Sequence, residues 1–83
     1  MLPLLSIDLL PSFFTATDLA ALIALCPGVI KGDLLRNRDG NSVGTAILHV
    51  RDQGSAERIV ATFDGAEVCG YPIRISRLAG THA

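Results

Sequence analysis

The period of the hydrophobic pattern changes along this chain in an order that few folds can accommodate. Leu5, Ile7 and Leu9 alternate with Ser6 and Asp8, as on a strand with one buried face, and Pro11 ends the run. Leu19, Leu22, Ile23 and Cys26 then recur at helical spacing until Pro27-Gly28 stops them. Val29 to Asn37 reads as a second strand of less regular alternation, with Gly32 and Asp33 as a candidate bulge. Arg38-Asp39-Gly40-Asn41 is a turn, and Gly44 to Val50 is a third strand. Ala56, Ile59, Val60 and Phe63 form the apolar stripe of a second helix over Gln53 to Phe63, broken by Asp64-Gly65. Tyr71 to Arg77 closes the chain as a fourth strand with Ile73 and Ile75 inward. The order β-α-β-β-α-β is the split βαβ arrangement, so the expected class is α+β: a ferredoxin-like sandwich with a four-stranded antiparallel sheet and two helices on one face. The inward positions, expected to be buried, are Leu5, Ile7, Leu19, Ile23, Ala46, Leu48, Val50, Ile59, Phe63, Ile73 and Ile75.

The start of the first helix carries its own signal. Thr15 can accept a hydrogen bond from the amide of Asp18, which occupies the place of the acidic partner in a capping box. Phe14 and Leu19 stand at hydrophobic-staple positions around that cap.

Composition bounds the rest. The 83 residues suffice for one domain, expected over 1–83, with a modest core. Nearly half of them are hydrophobic, which excludes a disordered chain. The net charge of −1 counts against tight, autonomous binding to nucleic acid unless the cations cluster. The apolar start is interrupted by Asp8 and Pro11 and has no basic region, so neither a signal peptide nor a membrane span is expected. Cys26 and Cys69 have no metal-ligand spacing, and two reduced thiols of an intracellular protein are the simplest reading, with nucleus and cytoplasm not distinguished. No nucleophile–base–acid set, phosphate-binding glycine loop or metal cluster is legible, so no enzyme, cofactor or small-molecule substrate is expected. The chain runs from its first strand to just after its last, as either a lone domain or a part of something longer would.

Several short features occur together at characteristic spacing. They are Leu9-Leu10-Pro11, Thr15-x-x-Asp18-Leu19, Gly28, Gly44-x-Ala46-Ile47-Leu48-x-Val50, Ala56, Asp64-Gly65, and Gly70-x-x-Ile73-x-Ile75. Over nearly its whole length the chain thereby resembles an RNA recognition motif (RRM). The resemblance implies a sheet in the order 4-1-3-2, with an open face on which aromatics of the two central strands stack bases. By strand alternation that face carries Ser6, Asp8, Val43, Thr45, Ile47, His49, Arg74 and Ser76. The chain departs from the family where the rings belong: the usual aromatic positions hold Ser6, Thr45 and Ile47, each lost stack being worth roughly 1–3 kcal/mol.

The candidate RNA-binding residues are therefore Ser6, Arg36, Arg38, Thr45, Ile47, His49, Arg74, Ser76 and Arg77. Arg36 and Arg38 flank the loop between strands two and three, Arg74 should project onto the sheet, and Arg77 closes strand four. Arginine can fork onto phosphate and stack on bases, so it partly replaces a ring. Asp8 is expected to pair with Arg74 on the adjacent strand. Of the four aromatics, Phe14 and Phe63 read as core. Phe13 and Tyr71 flank the sheet, where a structural role is preferred to base stacking. Two functions follow. The first is a weak single-stranded RNA-binding module relying on arginines and loops. The alternative is an RRM-fold protein-interaction module, in which a helix face or an aliphatic sheet patch of Val43, Ile47 and Leu34 docks a protein partner.

Overall fold

The computed structural model describes residues 3–68 and 70–78. Strand β1 (Leu4–Asp8) leads to helix α1 (Ala16–Ile23), then strands β2 (Val29–Arg36) and β3 (Ser42–Val50), and helix α2 (Gln53–Phe63). A two-stranded hairpin, β4 (Glu67–Val68) and β5 (Tyr71–Pro72), precedes the last strand, β6 (Arg74–Arg77). The main sheet is antiparallel throughout, in the order β2-β3-β1-β6, so the β-α-β-β-α-β sandwich is as the pattern implies and the 4-1-3-2 strand order as the family resemblance implies.

Local chemistry sets the helix starts. The Thr15 hydroxyl accepts from the Asp18 amide at 3.2 Å while the Asp18 carboxylate accepts from the Thr15 amide at 3.0 Å, completing the capping box. At α2 the Asp52 carboxylate accepts from the Ser55 amide at 2.7 Å, a cap the hydrophobic pattern alone does not reveal. That bond, with the Ser55 hydroxyl, holds the Asp52 carboxyl below the usual carboxylate value.

Between helices and sheet lies one core of Leu5, Ile7, Ala46, Leu48, Val50 and Ile75 from the strands, with Leu10 and Ile73 beside them, against Phe14, Leu19, Leu22, Cys26, Ala56 and Ile59. Ile23 and Phe63, expected inside, are only partly buried and pack on its margin. Each sits on the last turn of its helix, where fewer neighbours cover it. The Ile23 side chain of α1 rests on Gly32 of β2, where a Cβ would lie 2.5 Å from Ile23 Cδ1 and would displace it. Cys26 is buried in this core, and burial pushes its thiol up; Cys69 lies outside the described residues.

The strands depart from simple alternation in three places. Leu9, expected inward, ends β1 in the left-handed region at φ 67° and is 61% exposed. That turn sends Leu10 back into the core, where its amide donates to the Gly44 carbonyl at 3.0 Å. Gly44 itself has φ 84°, and a Cβ there would lie 3.2 Å from the Leu10 carbonyl oxygen. In β2 the expected bulge at Gly32-Asp33 is absent. The register instead shifts between Val29 and Lys31 and between Leu34 and Arg36, leaving Ile30 and Leu35 exposed. The expected fourth strand is split as well. Ile73 exchanges backbone hydrogen bonds with Gly65 and Ala66 instead of with β1, and Pro72 has no amide to donate, so the main ladder resumes only at Arg74.

Candidate nucleic-acid interface

Pairing register places the open-face side chains in rows. Asp33, Ile47, Ser6 and Ser76 stand across the sheet in one row, from β2 through β3 and β1 to β6. Lys31, His49 and Leu4 form a second row, and Asp8 faces Arg74 at the end nearest the β2–β3 loop. The strand-three register is thus the expected one: Leu48 is fully buried and its neighbour Ile47 half-exposed on the opposite face.

The positions where the family's rings would stand hold a small polar network. The Asp8 carboxylate accepts from the Ser6 hydroxyl at 3.0 Å and from the Thr45 hydroxyl at 2.9 Å. Ser6 is only 7% exposed, so little of it is offered to a ligand. The two hydroxyls satisfy the carboxylate without a cation, which accounts for Asp8 standing on the open face without the arginine partner expected for it.

Arg74 takes another partner. Its Nε donates to the Asp64 carboxylate at 3.1 Å, and the same oxygen accepts from the Ile75 amide at 3.0 Å. The backbone bond from Ile75, together with Arg74, holds the Asp64 carboxyl below its usual value. In the sequence Asp64 reads as a helix breaker and as part of the family pattern; its pairing role depends on the chain returning past it ten residues later. Arg77 pairs in register with the inward Leu5, and its guanidinium reaches Glu57 of α2 at 3.1 Å, on the helix side of the sheet. Arg51 faces Asp52 at 3.4 Å. His49 and Lys31 both approach the Asp33 carboxylate, at 3.4 Å and 3.8 Å, adding an acidic centre to the open face that the irregular pattern of β2 concealed.

Arg36 and Arg38 are different. Among the described residues neither has a carboxylate within ion-pair distance. Their loop is held in shape by Asn37, whose side chain accepts from the amides of Asp39 at 2.9 Å and Asn41 at 3.0 Å. Arg36 donates to the Gly40 carbonyl at 3.2 Å across the same turn. Two exposed guanidiniums thus project from a stiff hairpin at one end of the sheet.

The expected aliphatic patch is smaller than its sequence suggests. Leu34 pairs with the inward Ala46 and packs against the core, leaving Val43 exposed and Ile47 half-exposed. An apolar concavity of about 340 Å³ lies on the helix side, lined by Phe14, Leu22, Leu25, Phe63 and Val68 together with Asp18 and Glu67.

Comparison with known proteins gives a consistent picture. The chain superposes on the first two RRM domains of yeast poly(U)-binding protein Pub1 with a TM-score of 0.86 at 20% identity, covering 93% of this chain and 47% of that one. It thus spans about half of that two-domain chain. It superposes on the Sxl-lethal protein/RNA complex with a TM-score of 0.83 at 20% identity, covering 94% and 47% of the two chains. For the Rna15 RRM with bound RNA (GU) the TM-score is 0.79 at 18% identity, covering 92% and 82%. At such identities these likenesses speak for the fold alone. No curated protein matches the sequence. The family profile described as "RNA recognition motif" matches residues 5–74, most of the 83. The chain belongs to the RNA recognition motif family.

Proposed function

We propose that this chain is a single-stranded RNA-binding module that holds its ligand mainly by loop arginines and backbone, without ring stacking at the centre of its sheet. The observation that carries this reading is the pair Arg36 and Arg38, without carboxylate partners on a stiff turn beside an open sheet face. Family membership supports RNA as the ligand, and two of the similar structures were solved with RNA. Domains of this family are in general binding modules without catalysis.

In this reading Ile47 gives apolar contact, while Thr45, His49 and Ser76 offer hydrogen bonds to bases that cross the sheet. Ser6 contributes by holding Asp8, whose remaining lone pairs can accept from base amino groups. Arg74 and Arg77 are already ion-paired, so recruiting either to phosphate means exchanging a carboxylate for it. With Asp8 and Asp33 on the same face, net attraction is modest and binding is weak.

A titration with pools of short single-stranded RNA at low and moderate salt tests the proposal. Saturable binding that falls as salt rises is expected, with Arg36→Ala plus Arg38→Ala weakening all sequences alike and flattening the salt dependence. A tight complex indifferent to salt and to that double substitution, or no binding at low salt, would overturn it. The helix-side concavity favours one second reading, a protein-interaction module that docks an apolar segment there, against a lining that includes the 65% exposed Leu25.

A further inference from the structure

The two aromatic rings outside the core meet at the other corner of the same end of the molecule. Phe13 and Tyr71 lie 58 residues apart in sequence, yet their ring centroids are 5.8 Å apart with planes at 65°, an edge-to-face contact. Phe13 remains 55% exposed and Tyr71 51%, whereas the adjacent Phe14 is 2% exposed.

Backbone geometry accounts for that division. Phe14 donates to the Pro11 carbonyl at 3.0 Å, closing a turn that drives Phe14 inward and Phe13 outward. Tyr71 is fixed opposite Val68 by the β4–β5 hairpin. An edge-to-face contact uses the edge of one ring and one face of the other, so ring faces stay uncovered by the pair itself.

Topology says what else lies near. Strand β1 runs out toward Phe13, and β6 begins with Arg74 three residues after Tyr71. Leu10 hydrogen-bonds Gly44 near the start of β3, and Arg36 pairs with Ser42 at the end of β2. The aromatic pair and the Arg36–Arg38 turn therefore occupy one end of the sheet, at its β6 and β2 edges respectively. Between them lie four strands at roughly 4.8 Å spacing, a width that a few nucleotides cross.

We propose that Phe13 and Tyr71 form a stacking site for an unpaired nucleobase of the RNA strand whose phosphates Arg36 and Arg38 hold. This inference rests on the RNA-binding reading above. The rings supply at the sheet edge the π-surface that Ser6, Thr45 and Ile47 do not supply at its centre. Stacking tolerates any base, because every base has a π-face, and the Tyr71 hydroxyl adds one hydrogen bond.

Nuclear magnetic resonance provides the test. With one tyrosine, three phenylalanines and no tryptophan, the ring signals of the intact chain are few enough to assign individually. Oligo-U, oligo-A, oligo-C and oligo-G single strands are titrated in turn at low salt. The expected result is an upfield shift of the Phe13 and Tyr71 ring protons with unmoved Phe14 and Phe63 rings. Phe13→Ala and Tyr71→Ala should each weaken RNA binding about five- to a hundredfold with the amide spectrum of the fold retained. Should either variant unfold, the ring shifts of the unsubstituted chain still decide the question. RNA binding that depends on Arg36 and Arg38 but leaves both rings unmoved would overturn this inference and leave the RNA-binding reading standing. No binding of any of the four strands would overturn both.

Discussion

The two faces of the main sheet are made from the same four strands, alternate residue by alternate residue, and obey different rules. On the helix side Leu5, Ile7, Ala46, Leu48, Val50 and Ile75 are buried, and one missing methylene is felt because nothing flows in to replace it. On the open side Ser6, Asp8 and Thr45 satisfy one another where rings would stand, and the fold is unaffected. Packing constrains the first face and leaves the second free to vary. That is how a family can keep its scaffold while the residues on its open face differ from member to member.

The largest expected effect compares neighbours. Leu48→Ala should lower unfolding free energy by about 2–5 kcal/mol, because its side chain is fully enclosed. Ile47→Ala, one residue away on the open face, should cost about 1 kcal/mol or less. Denaturant titration of both variants measures the contrast, and equal losses would abolish the distinction between the faces.

Next in size is restoration of the missing rings. Thr45→Phe with Ile47→Phe puts two aromatics on the open face, and if RNA crosses it each should add about 1–3 kcal/mol to binding. Loss of the Thr45–Asp8 bond costs part of that gain. Calorimetric titration reads the sum. Unchanged affinity in a folded double variant would mean that RNA avoids the middle of the sheet.

A third test uses acid. Asp52 and Asp64 tie the two ends of α2, and both have carboxyl pKa values below the unfolded value. Their stabilising contribution is therefore complete above the unfolded pKa and is lost as pH falls through the folded one. Stability followed from pH 6 downward should decline below about pH 4. Asp52→Asn and Asp64→Asn should each start lower and decline less than the parent, and variants that follow the parent curve would show that neither carboxylate supports the fold.

The smallest expected effect concerns Leu9. Its left-handed backbone costs on the order of 1 kcal/mol in a residue with a Cβ, so Leu9→Gly should be neutral or stabilising by up to about that amount. Thermal unfolding measures it. A clear loss would show that the Leu9 side chain, though mostly exposed, packs usefully.

Much of this was legible because it is local. The Thr15–Asp18 capping box involves residues three apart, and the span of α2 follows from its apolar stripe and the Asp64-Gly65 break. The register of β3 was readable from Ala46, Leu48 and Val50, since a slip of one residue would expose all three. Strand β2 was misread at Leu34 because it is an edge strand whose two register shifts break the alternation that any sequence reading must assume.

The sequence by itself determined the β-α-β-β-α-β order and the inward faces of both helices and of the central strands β1 and β3, because those depend on periodicity and on contacts within a few residues. Tertiary structure decided the partners of the polar and aromatic side chains. Asp8 meets Thr45 across 37 residues instead of Arg74, Arg74 meets Asp64, Arg77 meets Glu57, and Phe13 meets Tyr71. Each choice is set by where distant backbone segments come to rest, to within about an ångström. Hydrogen bonds and ring contacts fall off over that distance, while the hydrophobic pattern that builds the scaffold does not depend on it.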